Sequence, residues 1–189
     1  MAETSEPNCR GALFIANMAY VKKIAGEGGV AKVEQVLAKK HPQVVLGQIQ
    51  EKDWVPLRAR IDFLEACKEE LGWDDKRLIA MGVDAVAHSA IVKFLMNYFL
   101  SIKTAINHAP EIWRQNYSSG KIVILENGKG RGRLAIVDFK HTPILCTYLT
   151  GFFQGVGTQI ARAKNVKVSE EKCVHKGAER CEYVFTWDE

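Results

Sequence analysis

The chain has 189 residues, 47% of them hydrophobic and 25% charged, with a net charge of +4. This is the composition of a globular protein with enough length for one substantial core, and the mild positive charge lacks the clustered excess of a dedicated nucleic-acid binder, so no direct nucleic-acid partner is expected. Five cysteines, an odd number with no secretory signal ahead of them, argue against a disulfide framework and for metal binding or buried thiols.

The N-terminus, Met1 to Pro7, carries acidic residues where a signal peptide needs a basic start and an apolar run, so a cytoplasmic location is expected. Residues 1–10 read as a tail and residues 11–189 as one domain. From 12 to 40, Leu13, Ala16, Tyr20 and Ile24, then Val30, Val33, Val36 and Leu37, recur at helical spacing around a break at Gly26, Gly28 and Gly29, which predicts a helix pair. Pro56 suits the first turn of a helix whose stripe is Leu57, Ile61, Leu64, Cys67 and Leu71, closed by Gly72. Asp74 and Asp75 then cap a long helix predicted over residues 75–106, and Pro110 opens another holding Ile112, Trp113 and Tyr117. The apolar runs from Ile91 to Ile102 and from Ile144 to Ile160 are interrupted by Lys93, Asn97, Gln154 and glycines, too polar for a membrane span.

Beyond Gly120 the period changes. Residues 121–125 and 134–139 are β-rich runs around the glycine-rich turn 127–132, which predicts a hairpin. A helix is expected over residues 143–163, where Gly151 and Gly155 allow close approach to a neighbour. A second hairpin, 166–172 with 182–187, ends the chain. Helices packed on a small antiparallel sheet made of two hairpins define an α+β fold.

Cys173 and Cys181 fall at the two inner ends of that second hairpin, which brings their Cα atoms to roughly 5 Å if they pair. Glu170 lies on the same strand, and Cys146 reaches in from the preceding helix. Three thiolates and one carboxylate suit a closed, four-coordinate structural zinc site. Such a site would carry about −2, with Lys172, Lys176 and Arg180 at hand to offset it. A Cys173–Cys181 disulfide and free buried thiols stand as alternatives, and His175 could replace Glu170. Cys9 and Cys67 are expected to be chemically inert.

The segments Cys146 to Gly155, Val168 to Cys173 and Gly177 to Tyr183 resemble the four-vinyl-reductase-type small-molecule-binding domain. That domain shares a superfamily with haem nitric-oxide-binding domains and with the TRAPP subunits of Golgi transport. In the phenol- and toluene-responsive activators that use this domain as a sensor, zinc is held by three cysteines and a glutamate. Cys146, Glu170, Cys173 and Cys181 match that motif in order and in near-identical spacing. The stretch between Gly155 and Glu170 is about a residue longer than in those sensors, which leaves Cys146 the ligand least constrained by the match. Residues 54–57 and 111–117 resemble a related group of bacterial proteins in which this domain makes up most of the chain. The resemblance implies structural zinc, a homodimer and a signalling protein partner.

Other candidates carry less chemistry. The Gly155-Val156-Gly157 run lacks the third glycine and the preceding strand of a nucleotide loop, and Lys129, Arg131 and Arg133 read as a solvated hairpin tip. His88 is expected to be a hydrogen-bonded core histidine, because the proximal-histidine context and Tyr-x-Ser-x-Arg clamp of the haem sensors are not evident. His108 is expected at a helix end. Phe94, Tyr98, Trp113, Tyr117, Tyr148 and Phe152 could line an apolar cavity, for which about 300 Å³ is the size expected of a ligand site. The reading is a stand-alone sensory module that binds a small hydrophobic or aromatic molecule and is braced by zinc. A vinyl-reductase-type protein of tetrapyrrole metabolism and an assembly adaptor without a small ligand are the alternatives.

Overall fold

The computed structural model describes residues 6–88, 101–139 and 142–188. Strand β1 (Asn8–Arg10) pairs antiparallel with β2 (Trp54–Pro56), and Cys9 between them is fully buried. The expected tail boundary at residue 10 is therefore corrected: the folded body begins before β1, since Leu57 N donates to Pro7 O at 2.8 Å. Helix α1 (Gly11–Lys40) runs through a kink at Gly26, whose φ of 67° and ψ of −172° suit a residue without Cβ. The predicted helix pair is thus two helical segments meeting at one residue.

Helix α2 (Leu57–Leu71) buries Leu57, Ile61, Leu64 and Cys67 and ends at Gly72 in the left-handed conformation, φ 65°. Pro56 precedes this helix as the last residue of β2 instead of entering its first turn. Helix α3 (Asp75–His88) starts where Asp74 Oδ1 accepts from Arg77 N at 2.9 Å.

The single helix predicted over 75–106 does not form. Ser101 is extended (φ −157°, ψ 157°), and its hydroxyl accepts from Thr104 N at 3.2 Å, opening a new helix, α4 (Ile102–Asn116). Pro110 consequently lies inside α4 and does not open it. The Ser101 cap starts the helix upstream, and an interior proline removes one backbone donor without ending it here.

Strands β3 (Lys121–Asn127) and β4 (Arg131–Val137) form the first hairpin, and helix α5 (Pro143–Gly155) continues into a π-helical turn, Val156–Ile160. Strands β5 (Lys164–Lys172) and β6 (Cys181–Asp188) form the second hairpin. The sheet order is β3-β4-β6-β5, antiparallel throughout, so the α+β expectation holds. Ile122, Leu134, Ile136, Tyr183 and Phe185 are buried in the sheet layer of the core.

Helices α3 and α5 cross at close backbone distance. A Cβ on Gly155 would lie 2.8 Å from Val83 O, and one on Gly151 would overlap Ile79 O and sit 2.7 Å from its carbonyl carbon. This contact fixes α5, which carries residues of both features described next. Among the described residues no helix is long and apolar enough to cross a membrane.

Candidate metal cluster and apolar cavity

Cys146 lies in the first turn of α5, Glu170 on β5, Cys173 one residue past β5 and Cys181 at the start of β6. Their ligand atoms all fall within 4.8 Å of one another. Cys146 Sγ is 3.8 Å from both Cys173 Sγ and Cys181 Sγ, so the helix thiol meets both hairpin thiols. No disulfide joins any of the five cysteines. The β5–β6 ladder matches Lys172 with Glu182, a register whose next pair would be Cys173 with Cys181, yet no disulfide joins the two. His175 sits in the short 3-10 turn Val174–Lys176, outside the four-residue group.

The three sulfurs are buried, and Glu170 Oε1 is buried without a hydrogen-bond partner. Burial pushes the Cys181 thiol up to about 11, against a hydrogen bond from Val174 N. Burial, followed by the Glu170 carboxylate, pushes Cys146 higher still. A cation entering this cluster must therefore displace protons from sulfur, which couples its binding to pH. The expected charge compensation is different in detail: Arg180, Lys172 and Arg133 converge on Glu182, at 2.8, 3.2 and 3.5 Å, and Glu182 is only 1% exposed.

A cavity of about 70 Å³ lies where α4, α5 and the sheet meet. Trp113, Tyr117, Tyr148 and Phe152 line it, together with Ile106, Leu134, Leu149 and Phe185 among others. Trp113 stacks on Tyr117 with ring centroids 4.2 Å apart, and its Nε1 donates to Ser119 O. Phe94 and Tyr98 lie outside the described residues. The volume falls well below the expected 300 Å³. Cluster and cavity adjoin: Phe153, a lining residue, packs on Tyr183 at 4.9 Å and Phe185 at 5.6 Å, and Tyr183 is two residues from Cys181 on β6.

A polar group that the sequence analysis passed over backs the same cavity. Arg60 of α2 is fully buried, its Nε donating to Asn17 Oδ1 at 3.3 Å and its Nη1 to the Tyr117 hydroxyl at 2.7 Å. Asn17 Nδ2 donates to the Tyr148 hydroxyl at 3.1 Å. A sequence signal existed: Arg60 falls three residues after Leu57 and four before Leu64, inside the apolar stripe of α2.

No protein-family model and no curated protein matches the chain. Solved structures do match, and they share its fold. An H-NOX protein from S. oneidensis in the Fe(II) ligation state superposes with a TM-score of 0.73 at 16% identity, covering 95% of this chain and 96% of that one. An oxygen-binding H-NOX domain related to soluble guanylate cyclases, solved as its oxygen complex, gives 0.67 at 10% identity, covering 95% of each chain. A structure from a study of heme distortion in the H-NOX family gives 0.68 at 12% identity, again covering 95% of each.

These neighbours overturn the cofactor expectation. The metal group named for them is heme with Fe(II), so zinc is not retained as the cofactor of this fold. Heme does not fit the cavity of this chain either. An axial bond needs an available imidazole, thiolate, thioether or phenolate donor, and no His, Cys or Met lines the cavity among the described residues. The hydroxyls of Tyr117 and Tyr148 are engaged by Arg60 and Asn17, and 70 Å³ is a small fraction of a macrocycle's bulk. His88 is not a core residue: its side chain is 43% exposed and meets Asp84 at 3.1 Å. His108 is exposed in the body of α4, away from the helix end expected for it.

Proposed function

We propose that this chain is a small-molecule-binding module whose cavity between α4, α5 and the sheet takes a compact apolar molecule of a few heavy atoms. The observation that carries this reading is the cavity itself, walled by aliphatic and aromatic side chains at a helix–sheet junction. The fold supports it, since structural neighbours are described as oxygen-bound and Fe(II)NO states of H-NOX proteins. The resemblance to vinyl-reductase-type and phenol-sensing domains points the same way. In this chain the ligand would contact protein walls directly, with no heme between.

In the same reading, Cys146, Glu170, Cys173 and Cys181 hold a metal ion selected by three sulfurs, and the ion pins α5 to the second hairpin beside the cavity. Four protein donors leave no open position for substrate, so the role is bracing, not catalysis. A module of this kind reports occupancy through contact with another chain, a second copy or a signalling protein. Sedimentation velocity with and without ligand follows that step.

Xenon, a compact apolar probe known to enter dry cavities of this kind, tests the reading. Saturable shifts of the Ile106, Leu134 and Leu149 methyl resonances under xenon pressure are expected. They should vanish in Ala105→Leu, which fills the cavity from α4. Methyl shifts that are non-saturable, or unchanged by Ala105→Leu, would refute it.

A further inference from the structure

Arg60 is a buried cation with no described carboxylate to answer it. Its guanidinium lies 4.6 Å over the Tyr148 ring and donates to Asn17 and Tyr117, both neutral partners, while Nη2 is buried with no hydrogen-bond partner among the described residues. Cys9 also lies close to it. Burial pushes the Cys9 thiol up to about 11 and the Tyr117 phenol up to about 12, so neither supplies a negative charge at neutral pH. Arginine itself cannot shed its proton. Native proteins pair buried charges, and an orphaned one points to a partner from outside the chain.

The surroundings define that partner. Tyr117 accepts from Arg60 and Tyr148 accepts from Asn17, so each hydroxyl hydrogen remains available to donate, beside the two hydrogens of Nη2. Tyr117 and Tyr148 also line the cavity, which places this donor set one side chain away from an apolar space of about 70 Å³. A single guanidinium balances one negative charge, and its planar fork matches a carboxylate in two hydrogen bonds. The apolar walls suit a short hydrocarbon body and offer nothing to a second charge.

We propose that the cavity's ligand is a short-chain monocarboxylate, its carbon chain among the α4 and α5 side chains and its carboxylate received by Arg60 Nη2 with the Tyr117 and Tyr148 hydroxyls. This rests on the cavity reading above and narrows it from any compact apolar molecule to an anionic one. Arg60 becomes a binding residue that distinguishes an acid from an alcohol of the same shape.

The test is isothermal titration calorimetry of the full chain with sodium butyrate, 1-butanol and butyramide at matched ionic strength. Butyrate is expected to bind at least ten-fold more tightly than the two neutral analogues. Arg60→Met should bring the three within two-fold of one another, whereas Arg60→Lys should keep part of the preference for butyrate. The wild-type comparison needs no variant, so misfolding of Arg60→Met would not protect the proposal. If xenon binds and butyrate is no better than 1-butanol, the anion reading falls while the cavity stands. If butyrate binds in an Arg60-dependent way but Ala105→Leu leaves its affinity unchanged, the carboxylate site stands and the cavity is not where its chain lies. Equal butyrate affinity in wild type and Arg60→Met would make Arg60 a structural strut and overturn the proposal.

Discussion

Replacing Gly151 by alanine tests the crossing of α3 and α5. The new Cβ would overlap Ile79 O and lie 2.7 Å from Ile79 C and 2.9 Å from its Cα, all backbone atoms of α3. Clearing Ile79 O, the nearest of these atoms, to an ordinary contact of about 3.5 Å requires α5 to retreat by more than about 1 Å, carrying Tyr148, Leu149 and Phe152 with it. Overpacking of this kind costs about 1–3 kcal/mol, and rigid backbone on the receiving side places it near the upper end. Alanine's better helix propensity returns about 0.5–1 kcal/mol. A net loss of about 2 kcal/mol lowers the melting temperature of a domain this size by about 4–8 °C, measured by circular dichroism or calorimetry. Gly28→Ala is the matched comparison, because nothing lies within 4 Å of its Cβ position on α1, and it should raise the melting temperature by about 1–4 °C. A Gly151→Ala protein that melts at or above the wild type would refute the claim that this crossing depends on a missing side chain.

Elemental analysis across the transition metals should find close to one metal ion per chain in protein purified without added metal. Cys146→Ser and Glu170→Gln should each lower that content and the melting temperature together; less than about 0.2 ion per chain, with stability unaltered in both variants, would refute the cluster's role. Asp62 is nearly buried and accepts from Arg58 at 2.7 Å, from Lys40 at 3.1 Å and faces His41 at 2.7 Å. Burial alone would raise its pKa, but hydrogen bonds from Arg58, His41 and Lys40 outweigh that and hold the carboxyl well below the usual range. Its stabilisation is therefore complete above the unfolded value of about 3.9 and is lost as pH falls through the folded value. The melting-temperature gap between wild type and Asp62→Asn should stay constant above about pH 5 and shrink below about pH 4; a gap unchanged down to pH 3 would contradict this. Ser101→Ala should cost about 1 kcal/mol by urea titration, since it removes the hydroxyl that starts α4, and no measurable loss would show that the helix starts without its cap.

The elements with a clean period or a strong boundary signal were legible from the residues alone. Gly72 and Asp74 marked the end of α2 and the start of α3, and the glycine-rich turn marked the first hairpin. The cluster was legible for the same reason, because a helix followed by a hairpin brings Cys146 to Cys173 and Cys181 whatever the details between. Ser101 was missed because one apolar stripe continued across it, and periodicity does not register a cap that interrupts an otherwise helical run. Pro110 misled in the opposite direction. The cavity's size lay beyond sequence reasoning, since it depends on how side chains from α4, α5 and the sheet pack together in three dimensions. Arg60 was visible as a charge inside an apolar stripe, but its lack of a counter-ion is a property of three dimensions.

Strand β6 gives both features a common condition. Cys181 and Phe185 are four residues apart, and because side chains alternate along a strand they share one face, with Tyr183 between them. The first belongs to the sulfur cluster and the last to the cavity wall. Their separation is about 13 Å of extended backbone, held against β4 on one side and β5 on the other. A slip of β6 by one residue would turn all three outward at once. Metal retention and the ligand space are therefore two readouts of a single alignment, and any substitution that shifts it should abolish both together.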